Sequence, residues 1–272
     1  MGEDADRTLR ALGLDGVPRE EPLLYPGAWP ADSGLLDGER YLPLDRLRHE
    51  DRTPVLAIGS NGCPGQLRHK LRAAGATSPL PMVRARVTGV DAGVSAHVSL
   101  AGYVSASPVL APGAVRRLFV LWLDGGQLAA IDASEGVPMP GGNFDRAWLP
   151  DPGVRVELAD GSRLPGVFAY VNRHGVLHDG TGAPRLHPGQ RELLGSLLAE
   201  LPRLRGLFGA LPEEFCARAR ADRRLCERGT RLFAEEELVT SSGLERYAAV
   251  WSARAQQYGS PGTGASLSPP LT

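Results

Sequence analysis

An α+β protein is predicted by three features of the chain: a strand-rich stretch from Pro54 to Val176, two helical segments inserted within it, and a change to helical periodicity after Pro188. Strands that dominate one region, with helices between and behind them, point to a curled or barrel-like sheet with flanking helices and a C-terminal helical extension. The 272 residues suffice for one sizeable core with appendages, since single domains commonly run to about 250 residues.

Residues 1–52 are rich in Pro, Gly and charge and read as an N-terminal arm or lid, with one short helical candidate from Asp4 to Leu14. Within the arm, Pro22-Leu23-Leu24-Tyr25 and Tyr41-Leu42-Pro43-Leu44 carry enough apolar surface to pack against the rest. Residues 53–180 form the α+β core. Its strands are read at Val55–Ile58, Met82–Val90, Ser95–Ser105, Val115–Leu123, Arg146–Leu149, Val154–Leu158 and Val167–Val176, with helices at Cys63–Ala74 and Gly126–Ser134. Residues 187–258 form the helical extension. Leu193, Leu194, Leu197, Leu198 and Leu201 make its first apolar stripe, and further helices are read at Glu213–Leu238 and Gly243–Tyr258. Residues 259–272 are Gly, Ser, Pro and Thr with little to bury, and a disordered tail is expected.

A formal net charge of −1 with mixed signs gives no whole-chain electrostatic reason to expect nucleic acid or a membrane surface as partner. No stretch reaches the ~18 apolar residues of a membrane span, and the acidic start Met1-Gly2-Glu3-Asp4 lacks the order of a signal peptide. A soluble cytoplasmic protein is expected. Cys63, Cys216 and Cys226 cannot all pair within the chain and show no metal spacing, so free thiols are expected. Of the 30 basic residues only Lys70 is lysine, and asparagine occurs only at Asn61, Asn143 and Asn172. Arginine abundance therefore reflects a compositional skew, and the arginines between Arg218 and Arg231 need no nucleic-acid partner.

The chemistry is read first from Ile58-Gly59-Ser60-Asn61, which follows the apolar Val55-Leu56-Ala57. A buried strand running into a glycine turn exposes backbone N–H groups that can hold a carboxylate or a carbonyl oxygen. About seventy residues on, Leu123-Asp124 and the helical run from Gln127 to Ser134 lead to Glu135-Gly136. A carboxylate-binding turn and one placed carboxylate suggest acid–base chemistry on an amino-acid-like substrate.

These residues resemble the γ-glutamylcyclotransferase-like family, whose marker is a strand followed by Tyr-Gly-Ser-Asn and a helix carrying a Leu; here Ile58-Gly59-Ser60-Asn61 and Gln66-Leu67-Arg68 hold those places. The likeness runs from Pro54 to about Val171. It takes in the Pro-Gly turn within Ala106–Gly113, the strand Val115–Leu123, Asp132 three residues before Glu135, then Phe144, Arg146, the alternation Val154–Leu158, Asp160-Gly161 and Phe168-Ala169-Tyr170-Val171. Two places depart from the pattern. Ile58 stands where the family has Tyr, so a hydroxyl is absent there, and the aromatic after the Glu is delayed to Phe144 by the insertion Val137–Asn143.

The resemblance implies a curled or closed β-barrel and a cofactor-free lyase or acyltransferase: cyclotransferase-type intramolecular aminolysis of a γ-glutamyl or related aminoacyl amide that releases an amine. It implies Glu135 as general acid and base, Ile58, Gly59, Ser60 and Asn61 as the substrate-holding loop, and Tyr170 on the pocket wall. Two other functions remain open: an acyl-transfer or amide-processing enzyme of a specialised pathway using the same pocket, and a non-catalytic binding or scaffold protein that kept the fold. The expected partner is a small-molecule amide. The C-terminal helices could shape the pocket or serve a homodimer.

Other clusters read as ordinary structure. His174, His178 and His187 do not share a helix face, because Gly175 and Asp179-Gly180 break continuity, so no metal site is expected. No G-x-S-x-G, P-loop or dinucleotide motif occurs; His97 reads as strand surface, and Lys70, alone on a charged helix, as a poor Schiff-base candidate.

Overall fold

The computed structural model describes residues 6–49, 51–137 and 139–248. Their elements are β1 (Gly34–Asp37), β2 (Arg40–Pro43), β3 (Thr53–Ala57), a 3-10 turn at Gly59–Gly62, α1 (Pro64–Ala73), β4 (Leu80–Val98), β5 (Val104–Leu123), α2 (Gly125–Glu135), β6 (Phe144–Pro150), β7 (Arg155–Glu157), β8 (Arg163–Leu164), β9 (Gly166–Asn172), β10 (Val176–Leu177), α3 (Gln190–Glu200), α4 (Pro202–Phe208), α5 (Pro212–Ala221), α6 (Arg223–Glu235) and β11 (Val239–Thr240). The architecture is mixed α+β with one large sheet.

The long antiparallel pair β4 and β5 forms the spine of that sheet, in register from Met82 opposite Leu121 to Val98 opposite Val104. β3 adds to the other edge of β5 antiparallel, β9 adds to β3 in parallel with Val55 opposite Phe168, and β6 closes the row beside β9. The outer edge of β4 is taken in turn by β1, β7 and β10. That occupancy corrects the barrel expectation: β6 finds no room on β4, so the sheet stays open rather than closing into a barrel.

Several local expectations change for identifiable reasons. The strands read separately at Met82–Val90 and Ser95–Ser105 are one strand and a hairpin turn. Gly89, at a φ of +97°, lets β4 bulge and continue where a side chain would meet the Gly153 carbonyl. The reversal falls at Ser99–Tyr103, where the Ser99 N–H donates to the Tyr103 carbonyl at 2.9 Å. The Pro112-Gly113 segment is a bulge inside β5 rather than a turn, since pairing skips from Gly89–Ala111 to Thr88–Val115. The described part of the Asp4–Leu14 segment forms turns instead of a helix. Thr8 bridges Arg40, and Leu9 and Leu14 are buried in the core, which ties the arm to the sheet.

The span Glu213–Leu238 is two helices and a strand approach, because the Asp222 carboxylate accepts the Arg224 N–H at 2.8 Å and so starts α6. Residues 245–248 are helical, and the rest of the segment read as Gly243–Tyr258, with the tail 259–272, lies outside the described residues. All three cysteines are free thiols, buried in the fold. Among the described residues no helix is long and apolar enough to cross a membrane.

Three apolar clusters hold the elements together. β3 and β5 pack Val55, Phe119 and Leu121 against Leu67 of α1 and Ile131 of α2. The other side of the sheet gathers Leu56, Val120, Val167 and Leu244. The far half of β4 and β5 (Val94, Ala96, Val98, Val104) is covered by α3 to α6 through Leu194, Phe208, Phe215 and Phe233. The helical extension therefore shares apolar contacts with the sheet itself. Phe215 is fully buried and packs on Phe208 with ring centres 4.3 Å apart. Phe215→Ala is expected to cost about 3–5 kcal/mol in denaturant unfolding, with a single transition retained. Separate unfolding of helices and sheet would overturn the shared core.

Candidate functional site

β3 delivers the chain to Ile58 in extended conformation, and Gly59 then takes a φ of +64°. Only glycine suits this position, because a side chain there would run into the Tyr25 hydroxyl. The 3-10 turn leads to Pro64 in the first turn of α1, where a missing N–H is harmless. α2 is delimited at both ends. Asp124 and Gln127 form a capping box at its start, and Gly136 in the left-handed conformation stops it directly after Glu135. Two local stop signals thus fix the position of the carboxylate.

Lys70 of α1 reaches across to that carboxylate. Its Nζ lies 2.7 Å from Glu135 Oε1 and 2.8 Å from Asn61 Oδ1, and Asn61 Nδ2 donates to the same Oε1 at 3.1 Å. The side chains of Lys70 and Glu135 are only 7 % and 14 % exposed. Both contacts fall on Oε1, so Oε2 has no hydrogen-bond partner among the described residues. Lys70, set aside on sequence grounds only as a poor Schiff-base candidate alone on a charged helix, contacts Glu135 and lines the cavity.

A small cavity with an open mouth collects these groups. Ile58, Ser60, Asn61, Glu135 and Tyr170 line it, while Gly59 sits behind the wall beneath Tyr25. Several lining residues were not read as site residues from the sequence: Tyr25 and Arg19 from the arm, Lys70, His97, Tyr103 and Asn143. Arg19 is anchored by its backbone N–H to Gln66 Oε1 at 2.8 Å. Tyr25 accepts the Ala106 N–H at 2.8 Å and packs on Tyr103 with ring centres 4.6 Å apart. A hydroxyl from the arm therefore stands at the turn, over Gly59. Burial holds the Tyr25 hydroxyl far above its ordinary pKa. Burial and the nearby Glu135 push Tyr103 up to about 12, so both rings stay protonated.

One helical turn before Glu135, Asp132 forms a second polar knot. The Tyr170 O–H donates to its Oδ1 at 2.8 Å and Arg146 Nη1 donates to its Oδ2 at 2.6 Å. Burial raises the pKa of Asp132 against the opposing pull of Arg146, and it raises that of Tyr170, reinforced by the Asp132 charge. The loop between α2 and β6 is gathered by Arg173, whose guanidinium donates to the carbonyls of Val137, Met139 and Gly142 and to Asp145.

The histidines are separately engaged. His174 pairs with Asn143 Oδ1, His178 with the Glu237 carbonyl and His187 with the Val104 carbonyl. Among the described residues no group of three or more His, Cys, Asp or Glu side chains is placed to hold a metal ion. His97 is a correction: instead of strand surface it is buried at the inner wall, 2 % exposed.

No protein-family model matches the chain, and no curated protein matches it. Solved structures with some likeness include the solution structure of an Arabidopsis thaliana protein, 18% identical, with a TM-score of 0.33 over 46% of this chain and 72% of that one. Another is the crystal structure of an uncharacterized Homo sapiens protein, 19% identical, with a TM-score of 0.31 over 45% of this chain and 67% of the other. A third is titled a γ-glutamyl cyclotransferase, 13% identical, with a TM-score of 0.32 over 66% of this chain and 99% of that one. Superpositions this loose leave the site to be read from its own geometry.

Proposed function

We propose that the protein catalyses cofactor-free ring closure of a γ-glutamyl or related aminoacyl amide, with Glu135 moving the proton. The observation that supports it most is the asymmetry of the Glu135 carboxylate: Oε1 is held by Lys70 and Asn61, while Oε2 has no hydrogen-bond partner among the described residues, on a residue that lines the same cavity as Ile58, Ser60 and Asn61. A carboxylate kept for binding alone gains nothing from an unpartnered oxygen in such a place. Lys70 offsets the cost of burying the charge and prevents the carboxylate from rotating away.

In the reaction, the substrate's free α-amine attacks its own side-chain amide carbonyl. Oε2 takes a proton from the attacking nitrogen as the new C–N bond forms. The same proton then goes to the departing nitrogen as the old C–N bond breaks, so Glu135 ends as it began and no other reactant is consumed. Folding the substrate so that amine and carbonyl meet supplies much of the acceleration, since well-oriented intramolecular reactions gain about 7–11 kcal/mol. The backbone of the Ile58–Asn61 turn and the hydroxyls of Tyr25 and Tyr103 provide the polar contacts that hold that folded shape.

Glu135→Gln keeps the shape and an acceptor for Lys70 but cannot carry a proton. Turnover of a γ-glutamyl amide is expected to fall by roughly 10²-fold or more while the melting temperature changes little. Wild-type turnover in this variant would remove Glu135 from the chemistry.

The released amine lies toward the wall built by Asn143, Phe144 and the loop that Arg173 holds. A longer wall offers contact to a large leaving group that a small one cannot use. We expect kcat/KM to be higher for γ-glutamyl amides of bulky amines than for γ-glutamyl-alanine. Equal or better turnover of the dipeptide would show that the loop does not select.

A further inference from the structure

β4 carries His97 to the inner wall of the cavity, with its ring held edge-on by Phe144 at 5.5 Å and stacked on His174 at 5.6 Å. Its Nδ1 lies 2.8 Å from Nδ2 of Asn172, the last residue of β9, which is also 2 % exposed. The orientation of that amide is fixed from its other end, because Oδ1 accepts the His174 N–H at 2.8 Å. A carboxamide nitrogen can only donate, so Nδ1 must accept, and the single proton of a neutral imidazole is placed on Nε2. Burial, with His174 adding to it, keeps the ring neutral and its pKa pushed down to about 3. Among the described residues the imidazole is hydrogen-bonded through Nδ1 alone, and His97 shares the cavity with Glu135. A buried imidazole with one nitrogen locked by a neighbour and the other left open is unusual for a residue whose only task is packing.

We propose that the Nε2–H of His97 is the donor that holds the carbonyl oxygen of the bound amide and stabilises the negative charge gathering on it as the carbonyl carbon becomes tetrahedral. His97 gives a hydrogen bond and keeps its proton, so the proton transfer remains with Glu135 alone. Asn172 is the positioning residue that sets the tautomer. This assignment rests on the ring-closure reading for its kinetic consequences, while the state of the imidazole can be observed without it.

Asn172→Asp is the deciding variant. Aspartate preserves the shape and the acceptor for the His174 N–H but sets an acceptor oxygen against Nδ1. The proton then moves to Nδ1, and Nε2 offers a lone pair to the cavity. The charged or titratable groups sharing the site with His97 are His174 beside it, and Glu135, Lys70, Tyr25, Tyr103, Tyr170 and Arg19 around the cavity. All are shared with the wild type, so the ratio of variant to wild-type activity isolates the imidazole. At about pH 8, kcat is expected to fall about 10²-fold with KM little changed, the usual effect of losing one oxyanion donor. As the pH drops toward about 6, the added carboxylate favours imidazolium, Nε2–H returns, and the ratio should rise. A pH-independent ratio, or an unchanged kcat, would mean that His97 only packs.

Long-range 1H–15N spectra of the histidine-labelled full chain, with His97 assigned by its loss in His97→Phe, test the state of the ring directly. The expected result is an Nε2–H tautomer that stays neutral from about pH 9 to about pH 5 and an Nε2 signal that shifts when the lactam 5-oxoproline is added. An Nδ1–H tautomer, protonation above about pH 5, or no shift at saturating lactam would overturn the assignment. If the wild type closes no γ-glutamyl amide, the ring-closure reading fails, and the carbonyl-binding role of His97 is then decided by the lactam shift alone.

Discussion

The buried contact among Lys70, Glu135 and Asn61 sets the geometry on which the candidate site depends. It ties α1, α2 and the turn after β3 into one unit, although none of these is held to the others by strand pairing. Removing two opposite charges from water costs several kcal/mol per ion, and their mutual attraction returns this only when the geometry is good and other hydrogen bonds are satisfied. Asn61 supplies that second condition by donating to the carboxylate and accepting from the ammonium. The arrangement is therefore poorly explained as a source of stability, since a well-packed apolar pair would serve as well. What it does is fix one oxygen of Glu135 and leave the other without a hydrogen-bond partner among the described residues.

The same logic extends to the rest of the wall. Several polar groups at or behind it are held by neighbours: Asp132 by Tyr170 and Arg146, His97 by Asn172, and Asn172 by the His174 backbone. Such supports keep side chains in place before a ligand arrives, which is the condition for stabilising a developing charge without reorganisation. The arm completes this wall from outside the sheet. Its tyrosine at position 25 sits over Gly59, so the arm and the turn fit only because the turn residue has no side chain.

Parts of this were legible in the sequence because they depend on near neighbours. The glycine turn at Gly59 and the helical run leading to Glu135-Gly136 are local signals, and the structure adds the cap at Asp124 and the stop at Gly136 that end α2 at Glu135. Contacts across the fold were not legible. Periodicity puts Lys70 on a helix but cannot say that its face meets α2. Tyr25 reaches the Ala106 N–H over 81 residues of chain with nothing local to announce it. His97 lies on a strand that is buried on both faces over its last six residues, so the alternation that separates core from surface is absent there. Closure of the sheet was misread for a related reason, as pattern reveals strands but not which edges are already taken.

Composition held a signal of a different kind. With 29 arginines (30 − 1) to one lysine, the chain strongly favours Arg, yet Lys70 sits where a cation must touch Asn61 Oδ1 and Glu135 Oε1 from a single atom. The ammonium does so as a compact point charge, whereas a guanidinium would bring a planar fork of five donors into the same buried space. Two of the three asparagines behave alike. Asn61 donates to Glu135 while accepting from Lys70, Asn172 donates toward His97 while accepting from the His174 backbone, and Asn143 meets the His174 ring at the cavity rim. At positions 61 and 172 the carboxamide is used as donor and acceptor at once, which neither a carboxylate nor a hydroxyl of the same reach can reproduce. In a chain this skewed, the rare residue types mark the places where the chemistry of the side chain outweighs the bias of the composition.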